Sequence, residues 1–219
     1  MSLVDHWPLF GLRLRTPRLE LRYPTDEIAC ALGELAMQGI HDPSWMPFGV
    51  PWTDAPAEQL GRGSLVHQWT NRAQWSADEW HCPMAVFVSD ELVGTQEIFA
   101  KQFAVLHTVE TGSWVSRAQQ GKGIGKEMRA AILHLGFAGL GAREAITAAW
   151  HDNDASMGVT RALGYLENGE QRMPRREGAD RMLRYRLPRD VWEQRRRDDI
   201  EIEGLEPCLE LFGAGATSG

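Results

Sequence analysis

Cysteine is scarce: Cys30, Cys82 and Cys208 are the only three in 219 residues, too few and too scattered for a disulfide scaffold or a CxxC metal site. Reduced, mostly buried thiols are expected, and nothing near Cys82 in sequence marks the base that a nucleophilic cysteine needs. The seven histidines never fall at HxxxH or HxH spacing, so no metal site is expected either. No stretch is long and apolar enough to span a membrane, and the N-terminus mixes Asp5, His6, Arg13, Arg15 and Arg18 with short apolar pieces, unlike a secretory leader. The expected setting is the cytoplasm, with no membrane partner. Basic charge is short too. The net charge is -7, and the one dense basic run, Arg195-Arg196-Arg197, meets Asp198-Asp199 at once. Such a run suits a solvated helix end. It argues against a nucleic acid as partner, which would need a surplus of cations on one face.

What is present is enough apolar material for a core. With 43% apolar residues the chain suits one domain, expected over residues 1–212, followed by a small polar tail over 213–219 expected to be disordered. Residues 18–22 alternate as a half-buried strand does, and Thr25 is placed to cap a helix running to about Gln38. The proline-rich, aromatic segment 42–52 excludes regular structure, and a second helix is expected over 56–75. Runs 84–88 and 92–99 read as a hairpin, and 110–115 and 145–150 as strands flanking a helix over 126–140. A further helix from the 153–156 turn closes at Gly164, and a second hairpin pairs 166–173 with 181–187. A last helix over 189–196 precedes an alternating piece at 200–203. The order amounts to an α/β (α+β) chain with a mixed sheet and helices on both faces.

Chemistry concentrates in Gln120-Gly121-Lys122-Gly123-Ile124-Gly125, between a strand and a helix. A glycine-dense turn feeding a helix leaves backbone N–H groups unpaired and pointing one way, which makes a receptor for a diphosphate. A Walker loop would need glycine at position 120 and a hydroxyl at 127, where the chain has glutamine and glutamate. A dinucleotide fingerprint would need a third glycine at 126, where lysine stands. Both fail.

The Gln-x-x-Gly-x-Gly pattern that remains resembles the GNAT superfamily of acyl-CoA-dependent N-acyltransferases. Asn153-x-x-Ser156 opening a helix, Leu163-Gly164-Tyr165 closing it, and Thr16-Pro17-Arg18-Leu19-Glu20-Leu21-Arg22 resemble its RimJ/RimL branch, which acylates protein N-termini and some small amines. His6-Trp7-Pro8-Leu9-Phe10, His41-Asp42-Pro43 and the Met46 to Trp52 run look like an actinobacterial subgroup that includes a succinyl-CoA-using transferase. The resemblance implies a single domain with a mixed, mostly antiparallel central sheet. It implies acetyl-CoA or succinyl-CoA as acyl donor, no metal, and an amine acceptor: a protein N-terminus, a lysine or a small amine. Gly121, Gly123 and Gly125 would let the backbone approach the pyrophosphate, with Gln120, Lys122, Ile124 and Lys126 completing the loop. The pantetheine arm would pair with the preceding strand, where an N–H near Trp114 or Val115 meets the oxyanion.

Direct transfer from a thioester needs few groups: geometry, a base for the amine, an oxyanion donor and a proton for the thiolate. Glu110 is the only acid on that strand and the candidate base. Ser156 matches the hydroxyl placed beside the sulfur, Asn153 its partner, and Tyr165 is the alternative acid. Trp45, Met46, Phe48 and Trp52 are candidate walls of the acyl or acceptor pocket, stiffened by prolines. A succinyl donor would need a cation, for which His81, His107, Arg72 and Lys101 are on offer. A non-catalytic acyl-CoA sensor is the competing reading, and a homodimer is expected through residues 200–205 and the last helix.

Overall fold

The computed structural model of the protein describes residues 1–215, and its layout follows where the chain alternates and where it turns helical. A short helix α1 (Leu3–His6) leads to β1 (Arg13–Arg15) and β2 (Leu19–Arg22), which pair with buried Leu14 opposite Leu21. Thr25 caps α2 (Asp26–Met37), its hydroxyl accepting from the Ile28 N–H at 3.3 Å, with Asp26 and Glu27 where the helix dipole favours acids. After the irregular segment come α3 (Ala57–Ala73) and two long strands, β3 (Glu79–Val88) and β4 (Glu91–Lys101), joined by Ser89 and Asp90 at positive φ. A single-turn α4 (Phe103–Leu106) precedes β5 (Thr108–Val115). Beyond the glycine turn runs α5 (Ile124–His134), which continues over Leu135–Gly139 as a wider π turn. Then follow β6 (Glu144–Trp150), α6 (Asp154–Ala162), the hairpin of β7 (Leu166–Arg175) and β8 (Gly178–Pro188), α7 (Arg189–Glu193) and β9 (Glu201–Glu203).

All nine strands form one open sheet in the order β7-β8-β6-β5-β4-β3-β2-β1-β9. Every neighbouring pair is antiparallel except β5 and β6. That parallel pair is short, Thr108 to Glu110 against Glu144 to Ile146, after which the strands part. Beyond the parting β5 keeps β4 as neighbour and β6 keeps β8, as far as Trp150 opposite Met182. The alternation of β5 assigns its two faces. Val109 and Val115 turn toward α5 with Ala131, Ile132 and Met128 in the main core, whereas Trp114 packs with Leu32 of α2, Ala85 and Phe87 on the other face. Helices thus cover both faces.

Several expectations shift. The α5 helix starts at Ile124, not Lys126, so Gly125 lies inside its first turn. The piece at 200–203 becomes β9 on β1, which was itself not anticipated. Ile200 is buried, and Ile202 and Leu205 pack on the protein's own core, so the apolar side chains expected to meet a second subunit are consumed within the chain. The tail also starts later than expected: Gly213 and Ala214 bond back to the Glu210 and Leu209 carbonyls, while residues 216–219 of the expected disordered tail lie outside the described residues. Cys82 and Cys208 are buried, but Cys30 is exposed. Burial drives the Cys82 thiol well above its ordinary value, which suits a core residue and not a nucleophile. No helix among the described residues is long and apolar enough to cross a membrane, and none of them form a cluster able to hold a metal ion.

Candidate active site

The parting of β5 from β6 opens a wedge whose two ends carry different chemistry. At the C-terminal end of β5, Gly121 and Gly123 adopt φ of 74° and 79°, a left-handed backbone that side chains resist. The first main-chain bond into α5 is Glu127 N–H to the Gly123 carbonyl, at 3.2 Å, so the N–H groups before it have no main-chain partner there. A Cβ on Gly121 would meet nothing within 4 Å, and one on Gly123 only the Arg18 guanidinium at 3.5 Å. The fold therefore keeps space above this turn that its own atoms do not fill. That space, the free donors and the helix dipole fit a pyrophosphate.

The side chains around the turn divide by task. Gln120 is a staple: its Nε2 donates to the Ile40 and Val115 carbonyls at 2.8 and 2.9 Å. Lys122 donates to Gln119 Oε1 at 2.9 Å and, like Lys126, is exposed. Glu127 is buried and anchors the turn to the first hairpin through the Thr16 hydroxyl at 2.6 Å and Arg18 Nε at 2.7 Å. Burial alone would raise its carboxyl, but those bonds win and hold it low. Beside the turn a cavity of about 410 Å³ runs along α5 to α7, lined by Ala130 and Leu133 and by the cations of Arg18, Lys126, Arg195 and Arg197. Its charge and apolar floor fit the phosphorylated nucleoside end of a coenzyme. Two arginines of the basic run therefore line a cavity, where only a solvated helix end was expected.

At the other end of the wedge sits Glu110, on the last rung of the parallel pairing, opposite Phe99 and Ile146. Burial raises its carboxyl above the ordinary range, with Arg184 and His81 opposing and Glu97 adding. A half-buried carboxylate with a raised pKa is the state a general base needs near neutral pH. Asn153 caps α6: its Oδ1 accepts the Ser156 N–H at 3.0 Å, which leaves the Ser156 hydroxyl half-buried at the third helical position. Gly164 closes α6 at φ 91°, and the Tyr165 N–H returns to the Thr160 carbonyl at 3.2 Å. Tyr165 packs in the core with its hydroxyl lacking a hydrogen-bond partner, and burial raises its pKa. Arg129 opposes that rise.

The aromatic candidates separate. Phe48 and Trp52 lie 5.3 Å apart, and Trp52 lies 6.1 Å from Trp114, so these three form one wall on the outer face of β5. Trp45 instead donates to Asp152 Oδ2 at 2.9 Å, on the loop before α6. Met46 is buried and its carbonyl accepts from Arg175 Nε, so it supports the wall from behind. The cations weighed for a succinyl group are engaged elsewhere: Arg72 with Asp26, Lys101 with Glu79, and His81 with Glu97, while His107 packs against Phe103.

Two features escaped the sequence reading. Arg129 is fully buried on α5 without a carboxylate partner, donating to the Thr160 hydroxyl at 3.0 Å and the Ser113 hydroxyl at 3.3 Å, its Nε unsatisfied. Burial pulls its pKa down. Ser113 belongs to the reach of β5 beyond its parting from β6, so this guanidinium lies under the wedge. The second feature is Glu97, bonded to His81 Nδ1 at 2.8 Å on the outer face. Only the register of two strands brings it beside Glu110, so neither residue carries a local signal.

A family model described as an acetyltransferase (GNAT) domain matches residues 18–166, more than half of the chain. Among solved structures, Mycobacterium smegmatis RimJ in complex with a CoA disulfide aligns with a TM-score of 0.65 at 20% identity, covering 81% of this chain and 86% of that one. RimL, a ribosomal L7/L12 alpha-N-protein acetyltransferase in complex with coenzyme A, aligns with a TM-score of 0.63 at 18% identity over 80% of this chain and 97% of that one. A Salmonella typhimurium acetyltransferase that modifies the N-terminal serine of the 50S ribosomal subunit protein L7/L12 gives 0.62 at 18% identity, over 79% and 96% of the two chains. At such identities the structures speak for the fold. The family match, which spans the strand, the glycine turn and the helix after it, places this chain in the GNAT acetyltransferase family.

Proposed function

We propose that the protein moves an acetyl group from acetyl-CoA to a primary amine, and that the acceptor is a protein N-terminus. The observation that carries the reading is the wedge, with free main-chain donors at one end and the half-buried Glu110 carboxylate at the other. The glycine turn, Gln120, Lys122, Ile124, Gly125 and Lys126 would receive the pyrophosphate, and the free edge of β5 at Trp114 and Val115 the pantetheine arm. Bound there, acetyl-CoA supplies an already reactive thioester. Glu110 takes the amine proton, and Ser156 or Tyr165 gives one to the departing thiolate. Phe48, Trp52 and Trp114 wall the acceptor side. An α-amine, with a pKa of about 8 against about 10 for lysine, asks less of a carboxylate base.

The acceptor assignment is supported by the RimL and Salmonella proteins, whose names place their chemistry on an N-terminus. Succinyl-CoA is the second donor reading, favoured by Arg129, a buried guanidinium beside the wedge without a carboxylate partner. Thiol release with acetyl-CoA and with succinyl-CoA, each against a peptide with a free N-terminal serine, an N-terminally blocked lysine peptide and n-butylamine, separates these readings. Release is expected with acetyl-CoA and the serine peptide. Coenzyme A binding in calorimetry with no release for any amine would instead make the protein a sensor, and absence of binding would remove the proposal altogether.

A further inference from the structure

On the outer face of the sheet, β5 reads Glu110, Gly112, Trp114. Directly across on β4 stand Phe99, Glu97 and Thr95, and across from Phe99 on β3 stands His81. Glu97 is thus opposite Gly112 and diagonal to Glu110, a spacing of roughly 7–8 Å between backbones that lets one small cation touch both carboxylates. Gly112 has no positive φ that would call for glycine, and a Cβ added there would meet nothing within 4 Å. The result is an empty berth one side chain deep, with an acid on two sides and Trp114 of the aromatic wall on a third. It opens where β5 leaves β6.

Glu97 is held for this position. His81 Nδ1 lies 2.8 Å from its Oε1, and the imidazole stacks on Phe99 with 4.9 Å between centroids and 6° between planes. Its other edge faces a cleft of about 310 Å³ lined by Asn71, Gln74 and Glu79. The charged groups around the pair are Glu79 and Lys101, which bond each other at 2.8 Å, with Glu110 and Arg184 beyond; Asn71 of α3 and Gln74, just after that helix, add only uncharged groups to the cleft. The Glu97 bond raises the histidine's pKa.

We propose that Glu97, oriented by His81, is the second carboxylate of the acceptor site, and that with Glu110 it receives the substrate amine as an ammonium ion over Gly112. The inference rests on the amine-acetylating reading and narrows it to amines that arrive protonated. Two carboxylates attract an alkylammonium or α-ammonium group and discriminate against neutral aryl amines and alcohols, while the Trp114 face adds a cation–π contact. Before attack the ammonium gives one proton to Glu110, whose burial makes it the better proton acceptor. Glu97, fixed by its bond to His81, keeps hold of the amine's remaining N–H groups. Glu97 is therefore a binding residue and His81 a positioning residue.

The test reads amine binding without any acyl donor. The imidazole signals of His81 are followed by NMR in the full chain while n-butylammonium chloride is added, with 1-butanol as the uncharged isostere. A saturable shift is expected with the ammonium alone. Glu97→Gln is expected to weaken that binding at least tenfold, about 1.4 kcal/mol, with coenzyme A affinity by calorimetry unchanged, and Glu97→Asp is expected to restore part of it. Should Glu97→Gln fail to fold, Gly112→Val fills the berth from its open side and is expected to abolish the shift with the acid pair intact. His81→Gln is expected to raise KM for the serine peptide and to move the acidic limb of its pH profile, which a loss of packing alone would not do. No saturable shift in the wild type, or wild-type binding in both Glu97→Gln and Gly112→Val, overturns the proposal. Thiol release is scored separately, so loss of the acetyltransferase reading and loss of the ammonium site are distinct results.

Discussion

Individual residues here trade stability against use. Glu110 is a carboxyl whose burial favours its neutral form, so the folded state holds the proton more tightly than the unfolded chain. Its ionisation therefore weakens the fold as pH rises from the unfolded value through the raised folded one, and the penalty persists above. Glu110→Gln should accordingly raise Tm at neutral pH while lowering kcat/KM by about a hundredfold. In the wild type, kcat/KM should fall as pH drops through the raised pKa. A variant that keeps its rate and its pH profile would remove the base assignment. Gly123, at φ 79°, resists any side chain: Gly123→Ala should cost about 1 kcal/mol of stability. The methyl would also enter the space reserved above the turn, and coenzyme A affinity by calorimetry should drop about tenfold. Arg129 makes the opposite case. A buried guanidinium without a counter-charge is costly, so Arg129→Met should leave stability equal or higher. If the guanidinium serves the pantetheine arm, that variant loses affinity for coenzyme A and keeps it for 3′-phospho-ADP, which lacks the arm. Equal loss for both would mean a structural role.

Among the elements, α6 has the most to do for its size. Nine residues carry Ser156, pack Met157 and Thr160 inward and end on a left-handed glycine. Asn153→Ala removes the N-cap bond and should cost about 1 kcal/mol in chemical denaturation. Gly164→Ala should cost about 1–2 kcal/mol, because the backbone stands at φ 91°; the exposed Arg195 side chain beside it can swing away. Were both harmless, the caps would not be setting the position of Ser156. The β3 strand shows why part of the site was not legible. Its first half contains Pro83, which argues against a central strand. Yet β2 pairs only with Ala85 to Val88, so at Pro83 the strand has β4 on one side and an open edge on the other, where a missing N–H costs nothing. Reading the strand from Met84 therefore left out His81, and with it the partner of Glu97.

For the molecule as a whole, the open sheet has two edges, and both are blunted. β7 carries Glu167, Glu170 and Arg172 on an almost wholly exposed strand, and β9 is three residues long with Glu201 and Glu203 outward. Charged, short edges resist pairing with another chain. Light scattering at twice the mass of one chain, 24.6 kDa, would bear out the dimer expected from the sequence and put its contact on a surface other than these edges. The first hairpin is fastened to the glycine turn through Glu127, whose bonds to Thr16 and Arg18 hold its pKa below the unfolded value. That contribution is fully present above the ordinary carboxylate range, about pH 4, and is lost as pH falls through the folded pKa.

The sequence by itself determined the elements and one end of the site. Capping residues, alternation and a glycine turn are local signals, each readable within a dozen residues, and they yielded most helices, most strands and the family. What the tertiary structure alone decided depends on residues far apart in the chain. The early parting of β5 from β6, the register that sets Glu97 over Gly112, the burial of Arg129 between Ser113 and Thr160, and the folding of Ile200 to Leu205 into their own core all follow from strand pairing and helix packing. Such contacts are fixed by the total burial of the chain, which no short window of residues contains.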